Sequence, residues 1–185
     1  MKLKEKNKVM DKEAIVRAIE RIAHEIVEKS SPVKNVAIIG IKSRGAYIGR
    51  RLADRLAGIS GKKVPFGALD ITLYRDDLTQ VSEQPVVHAT EIDFDIDDKQ
   101  IILVDDVLFT GRTIRCALDA LIDFGRPSRI QLAVLIDRGH RELPISADYV
   151  GKNVPTSEKE VVEVRLEEYD GKDEVVICEK VTGNG

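Results

Sequence analysis

Cysteine is scarce. Only Cys116 and Cys178 occur in 185 residues. They share no spacing that suits a metal site or a redox pair, so no disulfide framework is expected and a reducing cytosol fits. Long apolar runs are missing as well: no stretch approaches the ~18 residues of a membrane-spanning helix. Met1 to Met10 is lysine-rich but leads into no apolar segment, so no secretory signal is expected and residues 1–10 read as a loose basic arm. A large charge of one sign is also lacking. The net charge is −3, so any basic surface for nucleic acid must be local. No internal repeat shows, and no Ser/His/Asp or Cys/His set offers a covalent nucleophile.

What is present describes an ordinary globule, 43% hydrophobic and 33% charged, of a length that suits one domain over 1–185. The chain is organised around residues 101–113, IILVDDVLFTGRT. Ile101 to Val104 form a short buried-type strand, too brief and too β-branched for a helix. Asp105 and Asp106 follow at its carboxyl end, then Val107, Leu108 and Phe109, the turn Thr110-Gly111-Arg112-Thr113, and a helical pattern. Helix-start amides and hydroxyls suit a dianionic phosphate, and carboxylates one turn away can accept hydrogen bonds from vicinal ribose hydroxyls. The arrangement is apt for a sugar phosphate. Taken alone it is also compatible with plain α/β scaffolding and solvated acids.

Before this centre, Asp11 predicts the N-cap of a helix running to about Lys29, with Ile15, Ile19, Ile22 and Ile26 on one stripe. Its other face carries Arg17, Glu20, Arg21, His24 and Glu28. After a break at Ser30 to Pro32, Val36 to Gly40 reads as a buried strand. It leads into Lys42, Ser43 and Arg44, a turn whose cations suit a pyrophosphate, and then a helix ending near Gly58. Val64 to Tyr74 alternates as a longer strand. Residues 76–98 form a long acidic connection of the kind that makes lids.

After the centre, Thr113 to Phe124 reads as a helix stopped by Gly125 and Pro127. Ile130 to Ile136 is a strand ending at Asp137 and Arg138, and Tyr149 to Gly151 a short extended piece. Val161 to Leu166 and Glu174 to Glu179 read as a hairpin with Asp170-Gly171 at its tip. Strands alternating with helices predict an α/β fold, a mostly parallel twisted sheet flanked by helices, with its ligand at the strands' carboxyl ends.

The segment VDDVLFTGRT (104–113) resembles the PRPP motif of type I phosphoribosyltransferases. Together with DITLYRDDL (70–78) and RGHRELPISADYVGKNVPTS (138–157), the chain resembles the bifunctional pyrimidine-operon attenuators that are also uracil phosphoribosyltransferases. The likeness covers about Asp11 to Glu179. It implies the type I fold with a small hood, built from 137–180 and part of the N-terminus. Asp105 and Asp106 would hold the ribose hydroxyls, and Val107 to Thr113, chiefly Thr110, Gly111, Arg112 and Thr113, the 5′-phosphate. Lys42, Ser43 and Arg44 would hold pyrophosphate, and Arg75 would sit at the base of the lid. Asp137 and Arg138 would lie near the base edge, with Tyr149 stacking and Val150 offering its backbone.

Purine-using relatives commonly carry an acid just before the Thr-Gly. Here that place is Phe109, which favours a pyrimidine. The resemblance thus implies uracil plus PRPP giving UMP and pyrophosphate, with Mg²⁺ carried by the substrate and no dedicated protein ligand. It also implies a UMP- or UTP-responsive regulator that binds pyrimidine-operon leader RNA. That surface would use Arg17, Arg21, His24, His140, Arg141 and Lys152, paired across a homodimer or higher homo-oligomer in the cytoplasm. Relatives usually carry arginine at Ser146 and threonine at Glu20, so the RNA likeness is the weaker one. An enzyme without RNA binding, or a purine phosphoribosyltransferase, are the alternatives.

Overall fold

A computed structural model describes residues 2–30, 35–74 and 89–181. Positions 31–34, where the break after Ser30 is expected, and 75–88, which hold Arg75 and most of the expected lid, lie outside the described residues.

Five parallel strands in the order β3-β2-β4-β5-β6 form the main sheet: β2 (Val36–Ile41), β3 (Phe66–Leu69), β4 (Gln100–Leu108), β5 (Arg129–Asp137) and β6 (Tyr149–Asn153). β4 lies at the centre, with Ile39 paired to Leu103 and Val104 to Ala133. Successive strand residues point to opposite faces, and both faces are covered. Ile38, Ile102, Val104 and Leu135 pack against α1 (Lys12–Lys29) and α2 (Arg44–Ser60). Ile39, Ile101, Leu103 and Val134 pack against α3 (Arg112–Ile122). That double cover explains why the strands read as unbroken apolar runs. Each fully buried Ile, Leu or Val contributes roughly 1.5–3 kcal/mol against exposure, which ties the polar turns at the strand ends to a rigid base.

The Asp11 carboxylate accepts a hydrogen bond from the Ala14 amide at 2.8 Å, as the predicted N-cap of α1 requires. Three expectations are corrected. Residues 1–10 are not a loose arm: Lys2–Met10 form strand β1, antiparallel to β8 (Glu174–Val181), with irregularities between Glu5 and Asn7 and between Lys8 and Met10. The lysine-rich composition hid a strand whose pairing partner lies about 170 residues away. The expected strand over Val64 to Tyr74 is four residues long. Asp70 Oδ1 captures the Thr72 amide and hydroxyl, at 2.8 and 2.5 Å, and turns the chain aside. The C-terminal hairpin has no two-residue Asp-Gly tip, because a one-turn helix α4 (Glu167–Asp170) intervenes between β7 (Glu160–Arg165) and β8.

The second sheet, β1-β8-β7, is the hood. Val162, Val164 and Val175 join the same core cluster as Ile15 and Ile19 of α1, so the hood is seated by apolar burial as well as by charge. The C-terminal part of the expected lid is packed down: Glu91 exchanges backbone hydrogen bonds with Ala68 of β3, and Ile96 is buried.

Candidate functional site

The site lies at the carboxyl end of β4. The strand register carries Asp105 beside Val134 and Leu108 beside Asp137. Where the main chain leaves the sheet, Gly111 adopts φ +93° and opens α3. A side chain at that φ is strained, which is the demand the Thr-Gly dipeptide meets. Gly111 at the N-cap has no side chain to offer α3, and Thr110 Oγ1 accepts the Arg112 amide at 3.3 Å; with the Thr113 hydroxyl they form a helix N-terminus, a place for an anion. The Thr110 carbonyl accepts hydrogen bonds from the Glu142 and Leu143 amides, which fixes the turn from the other side.

Asp105 is 6% exposed. Its Oδ1 accepts the Asp106 amide at 2.9 Å, and Asp106 Oδ1 accepts the Val107 amide at 2.8 Å. No cation pairs with either carboxylate among the described residues. Burial, with the neighbouring Asp106 charge second, pushes the Asp105 carboxyl well above the usual range. Burial also raises Asp106, though hydrogen bonds and the Arg44 charge work against it. Two desolvated acids facing a cavity are set to accept hydrogen bonds from hydroxyl groups. α2 comes close enough to complete this wall only because residue 45 is glycine: a Cβ there would meet the Val104 carbonyl oxygen at 2.6 Å.

A cavity of about 240 Å³ gathers Lys42, Ser43, Arg44, Asp105, Asp106, Val107 and Thr113. Most of the expected PRPP-binding residues therefore share one space. Asp70 and Thr72 line it too; sequence reasoning did not single them out, although the Asp-x-Thr pattern of a side-chain-capped turn was there to read. Leu108 is buried behind the turn, and Phe109 is partly exposed. The Lys42–Ser43 peptide bond is cis. The Lys42 ammonium leaves the cavity for the Ala89 carbonyl and Glu91, at 2.6 and 2.7 Å, so the main chain of this turn faces the ligand space. Arg112 Nε donates to Glu142 at 2.7 Å.

The expected base residues are divided. Asp137 sits beside Leu108, its carboxylate held by Arg141 and the Gly139 amide. Arg138 is 6% exposed, with its guanidinium 4.0 Å from the Phe109 ring centroid. It donates to Thr156 Oγ1 and to the Ser157 and Glu160 carbonyls, and burial lowers its pKa. Both stand next to the corner. Tyr149 does not. It is 1% exposed on the α1 face, under the Lys29 ammonium and within reach of Gln131, so it cannot stack on a ligand at the acids. The Val150 carbonyl is taken by Arg21 at 3.0 Å, and Val150 pairs with Val134 inside the sheet. Neighbours on a strand face opposite ways, and the packing of α1 decides which of the two is covered. On the hood side, Val162 to Arg165 of β7 line a cavity of about 330 Å³ with Asp106, Arg44 and Asp170.

The expected RNA surface also separates. Arg17, Arg21 and Lys152 share one groove of about 310 Å³, with Arg21 on the Val150 and Gly151 carbonyls and Lys152 on the Val9 carbonyl. His24 is exposed on the same helix. His140 and Arg141 contact the Phe109 turn instead. His140 Nε2 is 2.5 Å from the Thr156 carbonyl and its ring meets Phe109 edge-on. The Arg141 guanidinium is bound by the Phe109, Gly139 and Ile145 carbonyls and by Asp137.

Among the described residues, no group of three or more His, Cys, Asp or Glu could cage a metal ion. The all-oxygen donors at the corner suit a hard divalent cation that arrives on a pyrophosphate. No helix is long and apolar enough to cross a membrane among the described residues.

Residues 6–178 match the family model described as phosphoribosyl transferase domain. The sequence is 61% identical over 175 residues to the bifunctional protein PyrR of Acetivibrio thermocellus, covering 95% of each chain. It is 58% identical over 175 residues to the bifunctional protein PyrR of Clostridioides difficile, covering 95% of this chain and 99% of that one. Among solved structures, a hypoxanthine phosphoribosyltransferase of Trypanosoma cruzi superposes with a TM-score of 0.73 at 20% identity, covering 94% of this chain and 95% of that one. A hypoxanthine-guanine phosphoribosyltransferase of Bacillus anthracis does so with 0.69 at 18%, covering 94% and 98%. At that identity the two structures bear on the fold alone.

Proposed function

The chain belongs to the phosphoribosyl transferase domain family, and on that premise we propose that it transfers the phosphoribosyl group of PRPP to uracil, yielding UMP and pyrophosphate. We propose equally that it regulates pyrimidine biosynthetic genes by UMP- or UTP-responsive binding to leader RNA. The observation that carries the enzymatic half is the acid pair, Asp105 buried and Asp106 half-buried, with no cation paired to either among the described residues and facing the same cavity as Thr113 at the start of α3.

In this reading Asp105 and Asp106 accept hydrogen bonds from the ribose 2′- and 3′-hydroxyls. The α3 amides, with the Thr110 and Thr113 hydroxyls, hold the 5′-phosphate. The main chain from Lys42 to Arg44 receives the pyrophosphate. The bond from the anomeric carbon to pyrophosphate breaks early, so the protein's task is positioning, charge neutralisation and exclusion of water. A magnesium ion bound to PRPP would supply further neutralisation of the leaving group. Phe109 stands where a purine enzyme would need an acid, and it is held under the Arg138 guanidinium with no proton-accepting group of its own. That supports a pyrimidine. Asp137 and Arg138 remain the residues proposed beside the base, and Arg75 the residue proposed at the lid.

The RNA half rests on Arg17, Arg21, His24 and Lys152, which a second copy of the chain would join to an equivalent set. A narrower reading, enzyme alone, is favoured by one observation. Glu20 lies 3.6 Å from Arg55 and places a negative charge on the same helix. Purified protein with PRPP and Mg²⁺ tests the first half: UMP from uracil is expected, and turnover of guanine without uracil overturns it. Filter binding to a pyrimidine-leader hairpin, with and without UMP, tests the second: tighter binding with UMP is expected, and no binding leaves the enzyme alone.

A further inference from the structure

Arg44, Tyr47 and Arg51 lie three and four residues apart on α2 and so share one face. That face meets α4 of the hood. Arg44 Nε and Nη2 donate to the two carboxylate oxygens of Asp170 at 3.0 and 2.7 Å. Tyr47 faces Tyr169 with ring centroids 6.1 Å apart. Arg51 donates to Asp173 at 2.9 and 2.7 Å and to Glu168 at 2.8 and 2.6 Å. The same acids shape α4 itself: Asp170 accepts the Leu166 amide and Asp173 the Glu167 amide, at 2.9 and 2.8 Å.

The two arginines differ in what else they face. Arg51 opens onto a groove between α1 and α2. Arg44 opens onto both cavities that contain Asp106. A guanidinium is a planar fork, so fixing Nε and Nη2 also fixes Nη1. Among the described residues, Nη1 of Arg44 has no hydrogen-bond partner.

We propose that Asp170 is a positioning residue for phosphoribosyl transfer: its two-point grip on Arg44 aims Nη1 into the space in front of Asp106, toward the charged end of PRPP. The proposal rests on the functional reading above. It makes the hood part of the substrate site through a residue that touches no substrate.

The test is steady-state kinetics and direct PRPP titration of Asp170→Asn, which retains an oxygen for the Leu166 amide but loses the charged grip. KM for PRPP rises about tenfold, the loss of one well-aimed charged hydrogen bond, while kcat and KM for uracil stay within about twofold. Arg51→Gln loosens α4 from the same helix, so its Tm falls while KM for PRPP is unchanged. An Asp170→Asn enzyme that melts lower but keeps its KM for PRPP overturns the proposal. So does an equal rise in KM for Arg51→Gln, since the hood as a whole would then be responsible. Should Asp170→Asn fail to fold, Asp170→Glu keeps the charge but displaces the fork. A selective rise of about threefold in KM for PRPP is then expected, and an unchanged KM overturns the proposal. Wild-type protein that binds no PRPP overturns the functional reading and this proposal together, whereas binding that ignores residue 170 overturns this one only.

Discussion

Carboxylates meet opposite treatment in two parts of the molecule. In the hood they are paired. Arg165 donates to Glu163 and Glu174 and contacts Glu5, and hydrogen bonds from Lys172 first, then Lys8 and Arg165, draw the Glu174 carboxyl down to about 2. Lys6 and the Ser157 amide draw Glu160 to about 2 as well. At the acid corner Asp105 and Asp106 are desolvated side by side, and both carboxyls move upward. The hood acids stabilise the folded chain, whereas the corner acids oppose folding and are kept for a ligand. One residue type thus marks scaffold in one place and site in the other, and the sign of the pKa shift separates them.

The sharpest way to break this contrast is to neutralise the corner. Asp105→Asn with Asp106→Asn replaces two charged acceptors for ribose hydroxyls by neutral amides, each hydrogen bond to a charged group being worth roughly 1–3 kcal/mol, so PRPP affinity falls about thirtyfold or more. The same double variant melts higher near neutral pH. Between the ordinary carboxyl pKa and the raised one, the native state holds protons that the unfolded chain has lost, so the ionised pair lowers stability as pH rises through that window. Calorimetry with and without PRPP reads both effects. Unchanged affinity with normal melting removes the ribose role.

The hood should answer in the reverse direction. Arg165→Met strips partners from Glu5, Glu163 and Glu174, and a loss of about 1.5–3 kcal/mol lowers Tm by several degrees. The pH dependence sharpens the comparison. Because the hood carboxyls are held below their ordinary value, their stabilisation is complete above pH about 4.5 and is lost as pH falls toward 2. In the double Asn variant acid unfolding follows the hood alone and becomes steeper. A melting profile identical to wild type across that range contradicts the opposed slopes.

Arg141→Ala probes a residue that the resemblance assigned to RNA and that the structure ties to the Phe109 turn. Its guanidinium binds three carbonyls and Asp137, so uracil turnover and Tm should both fall. An effect confined to RNA would reverse that placement. The smallest effect is expected at Arg17→Ala, an exposed cation in the α1 groove. RNA affinity should drop uniformly and the salt slope by about one, with catalysis unchanged.

Legibility followed range along the chain. The strand, acid pair and Thr-Gly turn of 101–113 were readable because each signal is local: apolar run, paired charge, a φ that only glycine adopts freely. Asp11 as a cap, and the isoleucine stripe behind it, were readable for the same reason. Tyr149 and Val150 were misread. An alternating strand shows that neighbours face opposite ways, but only the packing of α1 decides which of them is buried.

By itself the sequence determined the α/β class with its mostly parallel sheet, the strand–turn–helix corner and the family, since periodicity, turn chemistry and motif all act within a few residues. Tertiary structure decided where the cations went. Arg44 turned to Asp170, Arg141 to the Phe109 carbonyl and Lys8 to Glu174, each across a gap in the chain that no local pattern spans. It also decided that a lysine-rich first segment is a strand, because the backbone hydrogen bonds of β1 are closed by β8 at the other end of the molecule. Long-range pairing satisfies groups whose partners composition cannot name, and that is why the pairing of the hood strands, unlike the local turn of the corner, was decided only in three dimensions.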